Sequence, residues 1–333
     1  MKKTPKAPLF KSADRKALQQ IVRLVRRNRD FVLTTHETPD GDGLGAQSAL
    51  YVALKKMGKR VRVVNHDALP EKFDYLAFKG AYQKSDRIPP HQVCFVMDAG
   101  SFTRIREGVS RSEFGILVNL DHHYSNNLYG DYNLVLPEAS ATGEVVYHLI
   151  KALGVKVDRA IAESVYTSLV TDTGGFRYRN TTPKVLRLAA ELVEAGAEAQ
   201  KVCDRIFAGV TPEAMDLTRI SLGHTRFFDR GAIGTMTLTQ ADLKKSGATD
   251  DDTENLINFV RKINTVKIAV FLKQRLDGRL KLSLRSRSPK VNVARIAKRF
   301  GGGGHSYAAG ALLPGPLSRA LPRVVAVCRR FLK

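Results

Sequence analysis

Residues 31–66 read FVLTTHETPDGDGLGAQSALYVALKKMGKRVRVVNH, and that stretch decides the fold class. FVLTTH (31–36) and VRVVNH (61–66) are short, apolar and β-branched, as strands require. Gly45 to Met57 between them has amphipathic helical spacing, and Gly58 ends it. Strand, helix, strand is the repeating unit of a parallel α/β sheet. Outward from it, VCFVMD (93–98) and ILVNLD (116–121) supply further strands, and Glu71 to Phe78 reads as a second helix punctuated by Gly80.

From about Ser140 the pattern turns helical, through ATGEVVYHLIKALG, DRAIAESVYTSLVTD, TTPKVLRLAAELVEAG and AEAQKVCDRIFAGV. Thr211-Pro212 opens another helix, expected to run to about Phe228 as a connector. A smaller unit follows, with strands GAIGTMTLT, TVKIAVFLKQ and RLKLSLRS, a helix VNVARIAKRF, a glycine run, a strand YAAGALL and a closing helix. The expectation is α/β with two domains. Residues 1–205 form a parallel-sheet domain that includes a basic segment and first helix over 1–30. Residues 206–226 are a helical linker, and 227–333 form a smaller α/β domain with a mixed sheet.

The chain of 333 residues is 43% hydrophobic and 26% charged, an ordinary globular composition that excludes disordered, fibrous and membrane-spanning classes. Its 54 Lys and Arg against 32 Asp and Glu leave a formal charge of +22. Residues 1–30 carry ten basic and two acidic groups, residues 31–226 balance, and residues 227–333 carry 21 basic and seven acidic. The surplus therefore points to a polyanionic partner on the C-terminal part, while the N-terminal excess has no assigned role. Cys94, Cys203 and Cys328 lie far apart with no CxxC pair, which argues against a disulfide scaffold or a thiolate zinc site and for a reducing cytoplasm. The basic N-terminus is followed by no apolar run, so neither a signal peptide nor a membrane partner is expected.

Three strands end in side chains able to ligate a metal: His36 after the first, Asp98 after the third, and Asp121 after the fourth, with His122 and His123 next. In an open parallel sheet the C-terminal strand edges line one crevice, so these residues converge. Asp40 and Asp42, in the loop after His36, and Asp172, closing SVYTSLVTD, complete a mixed His/Asp set. Such donors suit Mn²⁺, Mg²⁺ or Co²⁺ better than a soft-metal site would, and they suffice for two ions sharing a carboxylate. His66, His91, His148 and His224 match no such pattern and read as packing or surface residues, and Arg104 reads as a surface charge rather than a phosphate ligand.

H36-E-T-P-D40-G-D42-G-L-G, D98-A-G-S, D121-H-H123 and T-D172-T-G-G-F resemble, in order and spacing, the four motifs of the DHH phosphoesterase superfamily. L-R285-S-R-S followed by G301-G-G-G-H305-S-Y-A-A-G310 resembles the DHH-associated substrate domain of its nuclease branch. Order and length look most like the nanoRNases, or oligoribonuclease/pAp phosphatases. The resemblance implies two divalent ions, Mn²⁺ foremost. His36, Asp40 and Asp98 would hold one ion, and Asp42, Asp98, His122 and Asp172 the other, with Asp98 bridging and Asp121 orienting a neighbouring imidazole. His123 and His305 would act on the phosphate across a cleft between the domains. Arg285, Ser286 and the backbone of Gly302, Gly303 and Gly304 would hold the nucleotide, the glycine N–H groups forming a nest for an anion.

The implied activity is hydrolysis of short RNA, or other short single-stranded nucleic acid, to nucleoside monophosphates, and of pAp to AMP. A homodimer is compatible with it. A soluble cyclic- or linear-dinucleotide phosphodiesterase is the alternative enzyme. A RecJ-like exonuclease is disfavoured because no OB-like region follows, and a family II pyrophosphatase because of the glycine run. A catalytically silent nucleic-acid-binding protein is the non-enzyme alternative, and it is disfavoured because every matched ligand position is filled.

Overall fold

The structure is a computed structural model and describes residues 10–88, 93–253 and 255–332. The chain divides into two compact units at Gly209–Val210.

In the first unit the order is α1 (Ser12–Arg27), β1 (Asp30–Thr34), α2 (Gly41–Lys56), β2 (Arg60–Asn65), β3 (Tyr82–Lys84), β4 (Val93–Met97), β5 (Ile116–Asp121), β6 (Tyr132–Val135), α3 (Thr142–Leu153), α4 (Arg159–Asp172), α5 (Pro183–Glu194) and α6 (Ala199–Phe207). The strands form one parallel sheet in the order β3-β2-β1-β4-β5-β6. Alternating residues feed two cores. Phe31, Leu33, Phe95 and Met97 pack under the helices, while Val32, Cys94 and Val96 face a smaller cluster with Ile105 and Phe114. Burial on both faces is why these strands read as continuous apolar runs. The chain leaves β1 for β2 and β3 on one side and returns to β4 on the other, so a crevice opens beyond the C-terminal ends of β1 and β4.

Several expectations are corrected. Glu71 to Phe78 is no helix beyond one 3₁₀ turn, Glu71–Phe73. Phe73, Leu76 and Phe78 instead anchor the segment individually in the core, and so short a segment lacks the length to sustain helix nucleation. Helix α2 begins at Gly41, not Gly45, capped by Asp40, whose carboxylate accepts the N–H groups of Asp42 and Gly43. Asp42 therefore lies in the first helical turn and not in a loop.

Two glycines in the first turns of α2 are there for contact. A Cβ on Gly43 would sit 2.3 Å from Thr35 Oγ1, and one on Gly45 would sit 2.5 Å from the Ser164 carbonyl of α4. The short strands β3 and β6 at the two sheet edges were not anticipated, because half-exposed edge strands carry no apolar run.

The second unit holds α7 (Pro212–Gly223), β7 (Arg226–Phe228), β8 (Ile233–Leu238), α8 (Gln240–Ser246), α9 (Leu256–Arg261), β9 (Ile268–Gln274), β10 (Leu280–Ser286), α10 (Val293–Lys298), β11 (Gly303–Gly304), β12 (Ala308–Leu313) and α11 (Leu317–Arg329). Its sheet, β11-β12-β10-β9-β8-β7, is mixed: β8 and β9 are parallel and the other pairs antiparallel. Val270, Leu282 and Leu284 pack with Ile296 of α10 and Val324 of α11 on one face. Met236 and Phe271 pack with Leu217 of α7 and Ile257 of α9 on the other. Helix α7 stops at Gly223 rather than near Phe228, because residues 226–228 pair with β8. Among the described residues no helix is long and apolar enough to cross a membrane.

Candidate metal centre

The residues beyond β1, β4 and β5 meet side chains delivered by three helices. Asp98 follows β4 with φ 58°, a left-handed conformation that aspartate tolerates better than most residues. Its backbone N–H still donates to the Leu120 carbonyl, which pins the turn to β5. Its carboxylate is 4% exposed and faces two ways: Oδ2 lies 3.6 Å from His36 Nε2, and Oδ1 lies 3.7 Å from His122 Nε2. His36 Nε2 is also 3.9 Å from Asp40 Oδ1. On the other side His122 Nε2 lies 3.4 Å from Asp42 Oδ2 and 3.8 Å from Asp172 Oδ2. Two donor sets result, His36/Asp40/Asp98 and Asp42/His122/Asp172, each with ligand atoms within 4.8 Å of one another. The carboxylate of Asp98 touches both.

The imidazoles are turned for ligation. His36 Nδ1 contacts the Glu37 carbonyl at 2.7 Å and His122 Nδ1 the Ala139 carbonyl at 3.3 Å. A ring that donates Nδ1–H to a carbonyl leaves the Nε2 lone pair for a metal. Burial, with Arg104 adding positive charge, pushes the pKa of His36 down to about 4, so its ring is neutral at pH 7. Burial would also lower His122, but Asp172, Asp42 and Asp121 outweigh it and raise its pKa to about 9.

The carboxylates show the converse. Burial raises Asp42 to about 6 against the attraction of His122, with Asp172 and Asp40 pushing the same way as burial. Burial and then Asp42, Asp40, Asp121 and Asp172 hold Asp98 well above the ordinary carboxylate range. Like charges packed this closely call for compensating cations or protons. The four aspartates of the two sets would carry the charge that two divalent ions neutralise, and their oxygen and imidazole donors suit such ions, so the residues fit the group.

Asp121 stands beside this cluster, fully buried. Its Oδ1 takes the His122 backbone N–H at 2.8 Å and His123 Nδ1 at 2.7 Å, and its Oδ2 takes Asn126 Nδ2 at 2.5 Å. Burial would raise its pKa, but these partners hold it well below the usual carboxylate range.

Sequence inspection missed the residues that position the ligands. The N-terminus of α3 delivers the Thr142 and Gly143 N–H groups to Asp42 at 2.9 and 3.1 Å, and Thr142 Oγ1 to Asp98 Oδ1 at 3.0 Å. Ser168 of α4 also donates to Asp42, and Asn180 Nδ2 donates to Asp172 at 3.1 Å. ATGE at 141–144 signalled a helix start, but nothing local showed that this start points at a carboxylate a hundred residues away.

The remaining candidates lie on the second unit. Arg285 is on β10 opposite Ala308. The Ser286 hydroxyl donates to the Ser288 carbonyl at 3.0 Å and accepts the Ser288 N–H at 3.1 Å, so it would have to leave that turn to meet a ligand. The glycine run is shaped by its own chain. Gly301 and Gly302 donate to carbonyls of α10, and β11 pairs with β12. A Cβ on Gly302 would fall 2.0 Å from the Gly310 carbonyl, and Gly304 has φ 130°. Close backbone approach therefore requires glycine at both positions, whereas a Cβ on Gly303 would meet nothing. His305 exchanges backbone hydrogen bonds with Ala308 in the turn between β11 and β12.

Of the other histidines, His66 contacts Asp86 at 2.5 Å, His148 packs against Phe10 and Tyr147, and His224 lies 3.6 Å from Asp242. His91 lies outside the described residues, as do residues 1–9 of the basic N-terminal segment.

Residues 30–169 match the DHH family, N-terminal domain, and residues 234–333 match the DHHA1 domain. The chain is 35% identical over 303 residues to the bifunctional oligoribonuclease and PAP phosphatase NrnA of Thermus thermophilus, covering 90% of this chain and 89% of that protein. It is 25% identical to the Bacillus subtilis protein of the same description, over 88% of this chain and 92% of that one. Among solved structures, an exopolyphosphatase-related protein from Bacteroides fragilis superposes with a TM-score of 0.84 at 25% identity, covering 96% of both chains.

Proposed function

The chain belongs to the DHH family of phosphoesterases and carries a DHHA1 domain after the DHH domain, and from that premise we propose that it hydrolyses short oligoribonucleotides to nucleoside monophosphates and pAp to AMP in the cytoplasm. The observation that carries the proposal is the carboxylate of Asp98, whose two oxygens face the two donor sets. Divalent cations held there, with Mn²⁺ the best match to a nitrogen and oxygen donor set, would polarise phosphoryl oxygens and lower the pKa of a water in an in-line displacement.

The protein's own groups do the positioning. Thr142 and Ser168 occupy carboxylate lone pairs of Asp98 and Asp42, so the remaining lone pairs keep one direction. Asp121 holds Nδ1 of His123, and Nε2 of that ring is the atom that would meet a substrate oxygen. On the second unit Arg285, Ser286, the backbone of Gly303 and Gly304 and His305 are the proposed nucleotide contacts, while the Gly302 N–H, expected in an anion nest, instead donates to the Ala297 carbonyl.

A time course on 5′-labelled RNAs of two to about twenty nucleotides, beside pAp and a cyclic dinucleotide, with Mn²⁺ or Mg²⁺, tests the proposal. Release of mononucleotides from the shortest RNAs and of AMP from pAp is the expected result. If the dinucleotide and pAp both stay intact, the proposal fails. Turnover of cyclic di-AMP faster than of linear pApA would place the chain among cyclic-dinucleotide phosphodiesterases instead.

A further inference from the structure

The catalytic reading leaves the N-terminal charge unused, and part of it lies on one face of α1. Arg15, Leu18, Gln19, Val22, Arg23 and Arg26 recur at helical spacing and, with Ala152 of α3, line an open groove of about 470 Å³. Among the described residues no acidic side chain lines it. The three arginines are exposed, and their side chains make no hydrogen bond or ion pair with any described residue. Elsewhere on the same unit Arg60 pairs with Asp30, Arg111 with Asp131 and Arg159 with Glu198. Val22 is buried and Leu18 half-buried against the core beneath them, so what the groove presents is unpaired guanidinium groups, whose planes can stack on bases and whose charge pairs with phosphates, the two elements of single-strand recognition.

The groove is separate from the metal cluster. The first turn of α3 holds Asp42, and Ala152 lies nine residues beyond Gly143, about 14 Å along the helix axis. Lys59 at the start of β2 donates to the carbonyls of Arg26 and Asn28, so the Arg26 end of α1 lies at the sheet edge opposite the cluster. At roughly 3.4 Å per stacked nucleotide, about four nucleotides separate cluster and groove. A dinucleotide or pAp cannot occupy both.

We propose that the α1–α3 groove is a second, non-catalytic binding site for single-stranded RNA, engaged by oligonucleotides long enough to extend past the catalytic cluster. The choice of RNA as the polyanion rests on the reading of that cluster as an RNA hydrolase. The test uses the full chain with R15E/R23E/R26E, beside a matched reversal, R62E/R87E/R187E, at exposed arginines away from the groove. Fluorescence anisotropy with a hydrolysis-resistant phosphorothioate RNA of twelve nucleotides is read across a salt series, and dinucleotide hydrolysis is followed in parallel.

The groove variant is expected to bind the 12-mer at least about tenfold more weakly, with the slope of log affinity against log salt reduced by about 2, as three lost phosphate contacts require. Its dinucleotide hydrolysis stays at wild-type rate, and the matched variant stays within about twofold of wild type on both measures. Equal losses in the two variants, or none in the groove variant, overturn the proposal. Loss of binding to phosphatidylserine vesicles with 12-mer binding intact overturns it too, in favour of a lipid surface. Should triple reversal disturb α1, R23Q/R26Q keeps helix propensity and is expected to weaken 12-mer binding about threefold or more; no change there counts equally against it. If wild type binds the 12-mer through the groove but hydrolyses neither RNA nor pAp, the hydrolase reading falls and the groove stands.

Discussion

At the scale of single residues, Asp98 concentrates the argument. Asparagine tolerates the left-handed backbone at φ 58° and is isosteric with a protonated aspartate, so Asp98→Asn should fold. It also removes one of several crowded carboxylates, and the metal-free variant is expected to melt above metal-free wild type in a thermal scan. The same variant should lose the rise in Tm that saturating Mn²⁺ gives wild type, and more than about a hundredfold of hydrolytic rate, beyond the upper end of what outer partners of a metal site cost. Unchanged hydrolysis would remove Asp98 from the centre. Asp121→Asn should instead keep bound metal, by elemental analysis, while hydrolysis drops about ten- to a hundredfold, because His123 loses its carboxylate partner.

The pH behaviour of the centre follows from three raised groups, of which Asp98, held well above the ordinary carboxylate range, must like the others give up any proton before it can ligate. His122, raised to about 9, is protonated at pH 7.5 in the metal-free protein and must lose that proton to ligate. Asp42, raised to about 6, is largely ionised at that pH and adds competition only in acid. Affinity for Mn²⁺ should therefore climb from pH 6 toward pH 9, and calorimetry in buffers of different ionisation enthalpy should detect proton release on binding at pH 7.5. A pH-independent affinity would contradict the assignment of His122. The residue types of the candidate ligands were legible because they follow an apolar run, as His36, Asp98 and His122 do, open a helix, as Asp40 and Asp42 do, or close one, as Asp172 does. Thr142, Ser168 and Asn180 were not, since their role exists only once α3, α4 and the loop after α4 are in place.

Among elements, the packing of α2 on α4 brings together Asp42 and Asp172 of the second donor set. Gly45→Ala would bring a Cβ to 2.5 Å from the Ser164 carbonyl and 2.8 Å from the Ser168 N–H nitrogen, so the helices must part. A loss of about 1–3 kcal/mol in urea denaturation is expected, despite the better helix propensity of alanine. Gly303→Ala makes the opposite case: its Cβ meets nothing, so stability should hold, and a drop in oligonucleotide turnover would locate a substrate contact at that backbone. Central strands and long helices were readable from their periodicity. Glu71 to Phe78 misled because its apolar spacing anchors a turn rather than a helix face, and β3 and β6 stayed hidden because edge strands are defined by the neighbour they pair with.

For the whole molecule, the two units have separate cores, two on the faces of the parallel sheet and two on the faces of the mixed sheet. The proposed metal ligands all belong to the first unit. Calorimetry with and without Mn²⁺ should move the transition of that unit and leave the other nearly in place, since a ligand stabilises only the structure that binds it. A single transition shifting as one would show that the units unfold together. The charge follows the same division. The surplus of the second unit accompanies its proposed nucleotide contacts, and the surplus on α1 lies beside the groove described above.

Legible in the amino-acid order alone were the α/β class, the run of strands in each unit and the His and Asp side chains proposed as ligands, because hydrophobic period and strand-end position are local properties of the chain. Folding adds which of these side chains face one another, that Asp98 turns one oxygen to each donor set, and that the start of α3 holds Asp42. The same holds for glycine at 302 and 304, where backbone must pass close to backbone. These are contacts between residues far apart in sequence, or close approaches of main chain to main chain, and neither leaves a periodic mark in the segments that make them.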